Sequence, residues 1–200
     1  MARSAFNKAA LTKQKRLLET YREVLPSLDL KRRQLRAEKA RASETLARIR
    51  AGLESIEPQI AQGLPMLSDE LVDLADIVKV TAIEFGEENI MGIRLPKVSN
   101  IVTRVQPYSL FQKPFWVDRL VELLKTALEL QINVQVANRR LELLDKAERV
   151  ATQRYNLFDK VLIPRIEDSI KRIKVYLADA ERSFVVNSKI AKRKKLEQVA

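Results

Sequence analysis

Apolar residues recur at alternating spacings of three and four through the first sixty residues of the chain. Twelve of the fifteen positions in this seam are apolar, counting one tyrosine and one alanine, and the exceptions are Gln14, Arg32 and Lys39. A seven-residue repeat sustained over this length is typical of a coiled coil, because it places one narrow apolar stripe along a helix. We therefore predict a helix over residues 5–61 that is stopped by Gly63 and Pro65. The seam comprises Leu11, Gln14, Leu18, Tyr21, Leu25, Leu28, Arg32, Leu35, Lys39, Ala42, Leu46, Ile49, Leu53, Ile56 and Ile60.

A second seam predicts a helix over residues 116–190. Its spacing changes to three successive fours between Phe158 and Ile170, and such a stutter locally unwinds a supercoil. Pro164 lies inside this stretch and is expected to kink the helix. Because neither amphipathic helix can bury its seam alone, we predict that the two fold back on each other as an antiparallel coiled coil. The second seam comprises Leu141, Leu144, Glu148, Ala151, Tyr155, Phe158, Leu162, Ile166, Ile170, Ile173, Leu177, Ala180 and Phe184.

The middle of the chain lacks the seven-residue repeat and has a different pattern of residues. Ser68-Asp69-Glu70 is typical of a helix start, with a hydroxyl cap and acids in the first turn. Three runs rich in β-formers follow, at Val80–Phe85, Ile90–Leu95 and Val98–Val105, with a predicted turn at Gly86–Asn89 between the first two. We predict a short helix followed by a small hairpin or three-stranded sheet.

The predicted fold class is mainly α, with the β-region inserted between two coiled-coil arms. The boundaries are an N-terminal helix over residues 1–62, a distal region over 63–113, and a C-terminal helix with a basic tail over 114–200. An aromatic-rich segment, Tyr108–Trp116, either closes the hairpin onto the helices or forms an exposed docking patch.

Composition argues against an enzyme. The chain has no cysteine and no histidine, so disulfides, thiolate nucleophiles, imidazole bases and the usual zinc sites are excluded. It contains no Gly-rich phosphate loop. We predict no catalytic residue, no cofactor and no metal. Since no apolar run approaches the ~20 residues that span a bilayer, we expect a cytoplasmic protein.

The net charge of +11 is concentrated at the two ends of the sequence. Residues 1–50 carry 14 Lys and Arg against 5 Asp and Glu, and residues 165–200 carry 10 against 5. These charges either solvate the helices or meet an acidic partner or nucleic acid. A basic nucleic-acid-binding coiled coil, or a generic scaffold, therefore stays open as an alternative, although no aromatic platform is interleaved with the basic residues.

Several motifs resemble the D subunit of the V-type and A-type rotary ATPases. That family carries an Arg-Val-Asn-Ala-Leu-Glu stretch, then Ile-Pro, Thr-Ile, and a Leu followed by Glu-Arg. At two places near the start this chain departs from the family pattern, with Phe6-Asn7 and with Glu23-Val24-Leu25, and Pro26 is an additional proline. The matching residues are Arg154-Tyr155-Asn156-Leu157-Phe158-Asp159, Ile163-Pro164, Ser169-Ile170, Leu177 and Glu181-Arg182, the strand Asn89–Pro96, and Leu11, Leu18, Leu28, Lys31 and Leu35 in the first helix.

This resemblance implies a central rotor protein that transmits torque in ATP-driven H⁺ or Na⁺ transport, or in ATP synthesis. The implied partners are the F subunit on the side of the shaft, the catalytic A and non-catalytic B subunits around the terminal helices, and the subunit that caps the membrane ring. The resemblance implies neither nucleic-acid binding nor membrane insertion. The residues that we predict to contact partners are Asn89, Met91, Pro96, Arg154, Asn156, Pro164, Glu181, Arg182, Lys192, Arg193, Lys194 and Lys195.

Overall fold

A computed structural model describes residues 6–63, 77–106 and 116–197 of the chain. It confirms a mainly helical protein with two long helical arms and an antiparallel hairpin between them. The predicted helix start at Ser68 and the segment 107–115 lie outside the described residues. The elements are α1 (Lys8–Glu54), α2 (Ile56–Gly63), β1 (Val78–Ile90), β2 (Ile93–Val105), α3 (Trp116–Leu157), a π-helical turn (Phe158–Leu162) and α4 (Ile163–Glu197).

Both predicted seams are the covered faces of their helices. All fifteen positions of the first seam are buried or partly buried, and so are eleven of the thirteen positions of the second. The two exceptions are Ala180 and Phe184, at the end of the second seam. Covering these stripes removes apolar surface from water at roughly 25 cal/mol per Å², which is the main contribution that stabilises such long, thin elements.

The N-terminus of α1 is capped by Asn7. Its side-chain Oδ1 accepts a hydrogen bond of 2.7 Å from the backbone N–H of Ala10, and its backbone carbonyl accepts one of 3.1 Å from Leu11. Asparagine is among the best capping residues because its oxygen satisfies an amide that lacks a helical partner. The departure from the family pattern at Phe6-Asn7 therefore still supplies a cap.

The prediction of one continuous helix over residues 5–61 is wrong at Ser55. α1 ends at Glu54, Ser55 forms a turn, and α2 begins at Ile56. Pro58 has no backbone N–H to donate to the carbonyl of Glu54, so the hydrogen-bonding pattern cannot continue unchanged across this point. Pro58 therefore interrupts the first arm ahead of the stop predicted at Gly63 and Pro65.

A π-helical turn occupies the stutter in the second seam. The backbone N–H of Ile163 donates to the carbonyl of Phe158, five residues back, instead of four. Such a turn holds more residues than an α-helical turn, so it accommodates the successive spacings of four. Pro164 follows directly as the second residue of α4. Its missing N–H falls where the hydrogen-bond pattern changes, where a lost donor disrupts less than in a regular helix interior.

The chain divides into two compact units. The terminal unit comprises the described residues up to Arg32 together with those from Val150 onward, and the central unit comprises Arg33–Arg149.

Within the terminal unit, α1 and the C-terminal helix run antiparallel. As the residue number rises along α1, the contacted number falls: Lys8 pairs with Glu181 at 3.6 Å, and Arg22 with Glu167 at 2.6 Å. Further along, the Arg32 guanidinium lies 4.1 Å from the centroid of the Tyr155 ring. Between the helices lie the buried side chains of Ile166, Ile170 and Ile173, and the rings of Tyr21 and Phe158 meet edge to face with centroids 5.1 Å apart.

Most of the buried apolar side chains among the described residues lie in the central unit. Leu35 and Leu144 are each 1% exposed where α1 and α3 face each other. A second cluster joins the end of the first arm to the start of α3, and Trp116 belongs to it, as expected if the aromatic segment closes the hairpin onto the helices. Its buried members are Ile56, Ile77, Trp116, Val117, Leu120, Val121 and Leu123.

The hairpin has two strands, and its turn is not where the sequence placed it. Gly86–Asn89 lies inside β1, and the turn is Met91-Gly92, flanked by the pair Ile90 and Ile93. Both turn residues have positive φ, 54° at Met91 and 83° at Gly92, as a two-residue type I′ turn requires. Gly86 serves close approach instead, because a Cβ there would lie 2.8 Å from the Ser99 hydroxyl. The predicted turn was wrong because a glycine can mark close packing as well as a turn.

Candidate interaction surfaces

Arg140 of α3 makes polar contacts with the hairpin. Arg140 donates a hydrogen bond of 3.2 Å to the carbonyl of Pro96 and forms an ion pair of 2.7 Å with Glu88. The hydrogen bond and charge of Arg140 lower the pKa of the Glu88 carboxyl. Beside it, Leu95 is fully buried. The hairpin is therefore held by contacts from both strands.

A cleft of about 340 Å³ lies beside Arg140, between the hairpin and the helices. Its floor is apolar, with Ala42, Ile49, Val98 and Ala137 among the lining residues. Basic groups, including Arg41 and Lys97, lie at the same cleft. The structure thus offers a shaped surface here.

The three predicted contact residues of the hairpin have local structural roles. Asn89 Oδ1 accepts a hydrogen bond of 2.9 Å from the backbone N–H of Gly92, and so supports the turn. Met91 sits in that turn with a partly exposed side chain. Pro96 supplies the carbonyl that Arg140 binds. The fold brings the three residues together at one end of the hairpin, and their contact with a partner stays a prediction.

The predicted residues of the C-terminal helix separate by position. Arg154 and Pro164 lie on either side of the π-helical turn and are both exposed, whereas Asn156 is partly buried. Glu181 forms the ion pair with Lys8, and Arg182 lies 3.6 Å from Asp179 on its own helix. The basic residues Lys192, Arg193, Lys194 and Lys195 are all exposed in the last turns of α4. Their roles in binding also stay predictions.

Sequence reasoning missed a polar layer inside the seam. Lys39 Nζ lies 2.5 Å from Asp145 Oδ1 and 3.0 Å from Glu148 Oε2. Arg36 contacts Glu148 at 3.1 Å, and Arg149 contacts Asp145 at 2.8 Å. Hydrogen bonds to Lys39 lower the pKa of both carboxyls, and those same bonds raise the pKa of Lys39. The available signal was the lysine at a seam position of α1 and the glutamate at a seam position of α3.

The described part of the chain contains no group of three or more acidic residues arranged to hold a metal ion. In the same residues, no helix is both long enough and apolar enough to cross a membrane.

Comparison with known proteins identifies the family. The sequence profile of the ATP synthase D subunit family matches residues 10–193. The V-type ATP synthase D subunit of Borreliella burgdorferi is 29% identical over 192 residues, which cover 96% of this chain and 95% of that protein. The V-type ATP synthase D subunits of Chlamydia felis and Chlamydia caviae are 35% and 33% identical over 182 residues, covering 88% of this chain and 85% of each relative. The chain therefore belongs to the ATP synthase D subunit family.

Proposed function

We propose that this chain is the central rotor shaft of a V/A-type rotary ATPase and that it transmits torque between the catalytic A/B hexamer and the ion-translocating ring. The observation that carries the proposal is the antiparallel pairing of the two helical arms by direct side-chain contacts in each compact unit. A shaft made in this way is thin, because a narrow seam needs no wide core.

Torque transmission also requires that the two helices do not slide past each other. The polar layer around Lys39 supports this requirement. A charged residue at a seam position is satisfied only opposite Asp145 and Glu148, so a shift of register would leave it in an apolar seam. Polar seam residues fix register in coiled coils in the same way, at some cost in stability.

The chain contributes no catalytic group in this proposal. Its sequence has no histidine, no cysteine and no phosphate-binding loop. The A and B subunits surround the terminal helices, the F subunit binds the side of the shaft, and the ring-capping subunit receives its lower end. The complex lies on the cytoplasmic side of the membrane, and the ring determines whether H⁺ or Na⁺ is coupled. These assignments are supported by the family membership and by the exposed basic residues of α4.

Reconstitution with and without this chain tests the proposal. The A/B hexamer is combined with the membrane sector in vesicles, and ATP hydrolysis and ion uptake are measured together. With the chain present, we expect hydrolysis to drive uptake. Without it, residual hydrolysis should drive none. Ion uptake that is equal in the absence of the chain would contradict the proposed role.

A further inference from the structure

Small side chains line the cleft between the hairpin and the helices. Ala42 occupies a seam position of α1, and the seam positions one heptad before and after it are Leu35 and Ile49. Ala137 of α3 also lines the cleft. Alanines among larger aliphatic side chains leave space that the surrounding residues do not fill. The cleft of about 340 Å³ lies within the size range of small-ligand sites, roughly 300–1,000 Å³.

The first arm, the hairpin and α3 all contribute aliphatic groups to this cleft. Ile49 belongs to α1, Val98 to β2 and Leu144 to α3. Leu144 is fully buried, whereas Ile49 and Val98 are only partly buried. Aliphatic surface at the cleft therefore stays in contact with water, and covering it with another aliphatic group is favourable. A molecule bound here touches the hairpin and both helices.

Three cations line the cleft, and two of them are already paired. Arg41 contacts Glu38 at 2.7 Å, and Arg140 contacts Glu88 at 2.7 Å. Lys97 forms no ion pair among the described residues, and after Arg140 it is the second cation that lowers the pKa of the Glu88 carboxyl. Three cations against two carboxylates leave one positive charge uncompensated. The cleft is therefore complementary to a ligand with a single negative charge.

We propose that this cleft is a binding site for a medium-chain aliphatic monocarboxylate, that is, the anion of a fatty acid. Its hydrocarbon chain lies over Ala42 and Ala137, and its carboxylate faces the Lys97 ammonium. A nucleotide fits less well, because no aromatic side chain among the described lining residues is available to stack on a base. Its several negative charges also exceed the single uncompensated cation.

Binding at this site acts on the hairpin. The ligand contacts the hairpin and the helices together, so it binds only while the hairpin lies against the helices, and it stabilises that arrangement. Neither the site nor its ligand depends on the proposed rotor function, so each can fail without the other.

NMR titration of the purified full chain tests the inference. Decanoate is the probe, and decylammonium, with an equally long chain and the opposite charge, is the control ligand. We expect saturable decanoate-induced shifts at Val98 and Ala137, with a Kd below about 1 mM, and weaker binding of decylammonium. Shifts that do not saturate, equal binding of the two amphiphiles, or larger shifts with ATP would overturn the inference. So would shifts at the same residues that depend on protein concentration without any ligand, because a second copy of the chain would then occupy the cleft.

A matched pair of leucine variants tests the apolar part of the site. Ala42→Leu fills the cleft, whereas Ala47→Leu adds the same side chain at an exposed position outside it. We expect Ala42→Leu to weaken decanoate binding at least ~10-fold, because the added atoms occupy the space of the hydrocarbon chain, and Ala47→Leu to leave it unchanged. A folded Ala42→Leu variant that binds decanoate as the wild type does would contradict the site.

A second pair tests the charged part without altering buried packing, so it applies even if Ala42→Leu does not fold. Lys97→Gln removes the uncompensated charge, and Arg104→Gln makes the same change of charge at another exposed position of β2. We expect roughly 3-fold weaker decanoate binding for Lys97→Gln, because an ion pair at an exposed lysine contributes little, and no change for Arg104→Gln. Equal effects of the two variants would show that the carboxylate does not face Lys97 and would overturn the proposed binding mode.

Amide hydrogen exchange tests the link between the ligand and the hairpin. At saturating decanoate, exchange in β1 and β2 should slow, because the ligand must leave before the hairpin opens. Exchange in both strands that is the same with and without bound decanoate would contradict a ligand that bridges the hairpin and the helices.

Discussion

Lys39 Nζ lies 3.0 Å from Glu148 Oε2, and this contact is made at the seam between two helices, where leucine, isoleucine and alanine occupy most positions. The Glu148 side chain is 14% exposed and that of Lys39 is 34% exposed. The pair is therefore partly shielded from solvent. Such a pair specifies alignment more than it adds stability, because desolvation offsets much of the attraction.

Replacing Lys39 with methionine tests this division between stability and alignment. We expect the free energy of unfolding near neutral pH to change by less than about 1.5 kcal/mol, because the methionine packs in the seam and Arg36 and Arg149 remain beside the two carboxylates. Disulfide trapping between engineered cysteines on α1 and α3 should show additional, shifted pairings. One unchanged pairing would contradict a role in register.

The pH dependence of stability follows from the same contact. Hydrogen bonds from Lys39 hold the pKa of Asp145 and Glu148 below their ordinary values. The folded chain then binds fewer protons than the unfolded chain, so stability is present above the unfolded pKa of about 4 and is lost as pH falls through the lower, folded values. Between pH 6 and 3, the unfolding temperature of the wild type should fall more steeply than that of Lys39→Met. Equal slopes of unfolding temperature against pH in the two proteins would contradict the coupling between Lys39 and the two carboxyls.

The hairpin should loosen when its arginine is removed. Arg140→Met eliminates the contacts with Glu88 and with the Pro96 carbonyl, whereas Arg139→Met eliminates a pair with Glu142 on the same helix. We expect faster amide hydrogen exchange in β1 and β2 for Arg140→Met but not for Arg139→Met. The lost contacts should lower the free energy of opening the hairpin by about 1 kcal/mol. Similar exchange in the two variants would mean that packing alone holds the hairpin.

Met91, in the hairpin turn, has an unfavourable backbone conformation. Met91 has φ of 54°, and a side chain in this left-handed region costs about 1 kcal/mol relative to glycine or asparagine. Met91→Asn should therefore stabilise the hairpin by roughly 0.5–1 kcal/mol, while Gly92→Ala, at φ 83°, should destabilise it. Differential scanning calorimetry measures both shifts, and a destabilised Met91→Asn would contradict the turn geometry.

Removing residues 190–200 should leave folding intact. The described side chains of this tail, from Ile190 to Lys195, are exposed, so little buried surface is lost. We expect an unchanged unfolding temperature and a modest fall in coupling between ATP hydrolysis and ion uptake. A truncated chain that unfolds, or that no longer binds the F subunit, would show that the proposed orientation of the shaft is inverted.

The sequence predicted those features that depend on periodicity. The seams, the stutter and the antiparallel pairing all follow from the spacing of residues such as Leu35, Leu144 and Ile170. The two places where the structure differs from the prediction depend on single backbone groups. The first arm is interrupted near Pro58, and the hairpin turn lies at Met91-Gly92 instead of at Gly86–Asn89. The ion pairs of Lys39 could not be predicted in this way, because they depend on which residues stand opposite each other and the pattern of one helix does not contain that alignment.

Observation of rotation tests the central claim most directly. Because the chain has no cysteine, a single Met91→Cys substitution provides one labelling site at the hairpin turn. A light-scattering bead attached there is followed by microscopy while the A/B hexamer is fixed to a surface. On adding ATP, we predict stepwise rotation in one direction, with a rate that follows ATP hydrolysis. A bead that stays fixed relative to the hexamer while hydrolysis proceeds would contradict the account.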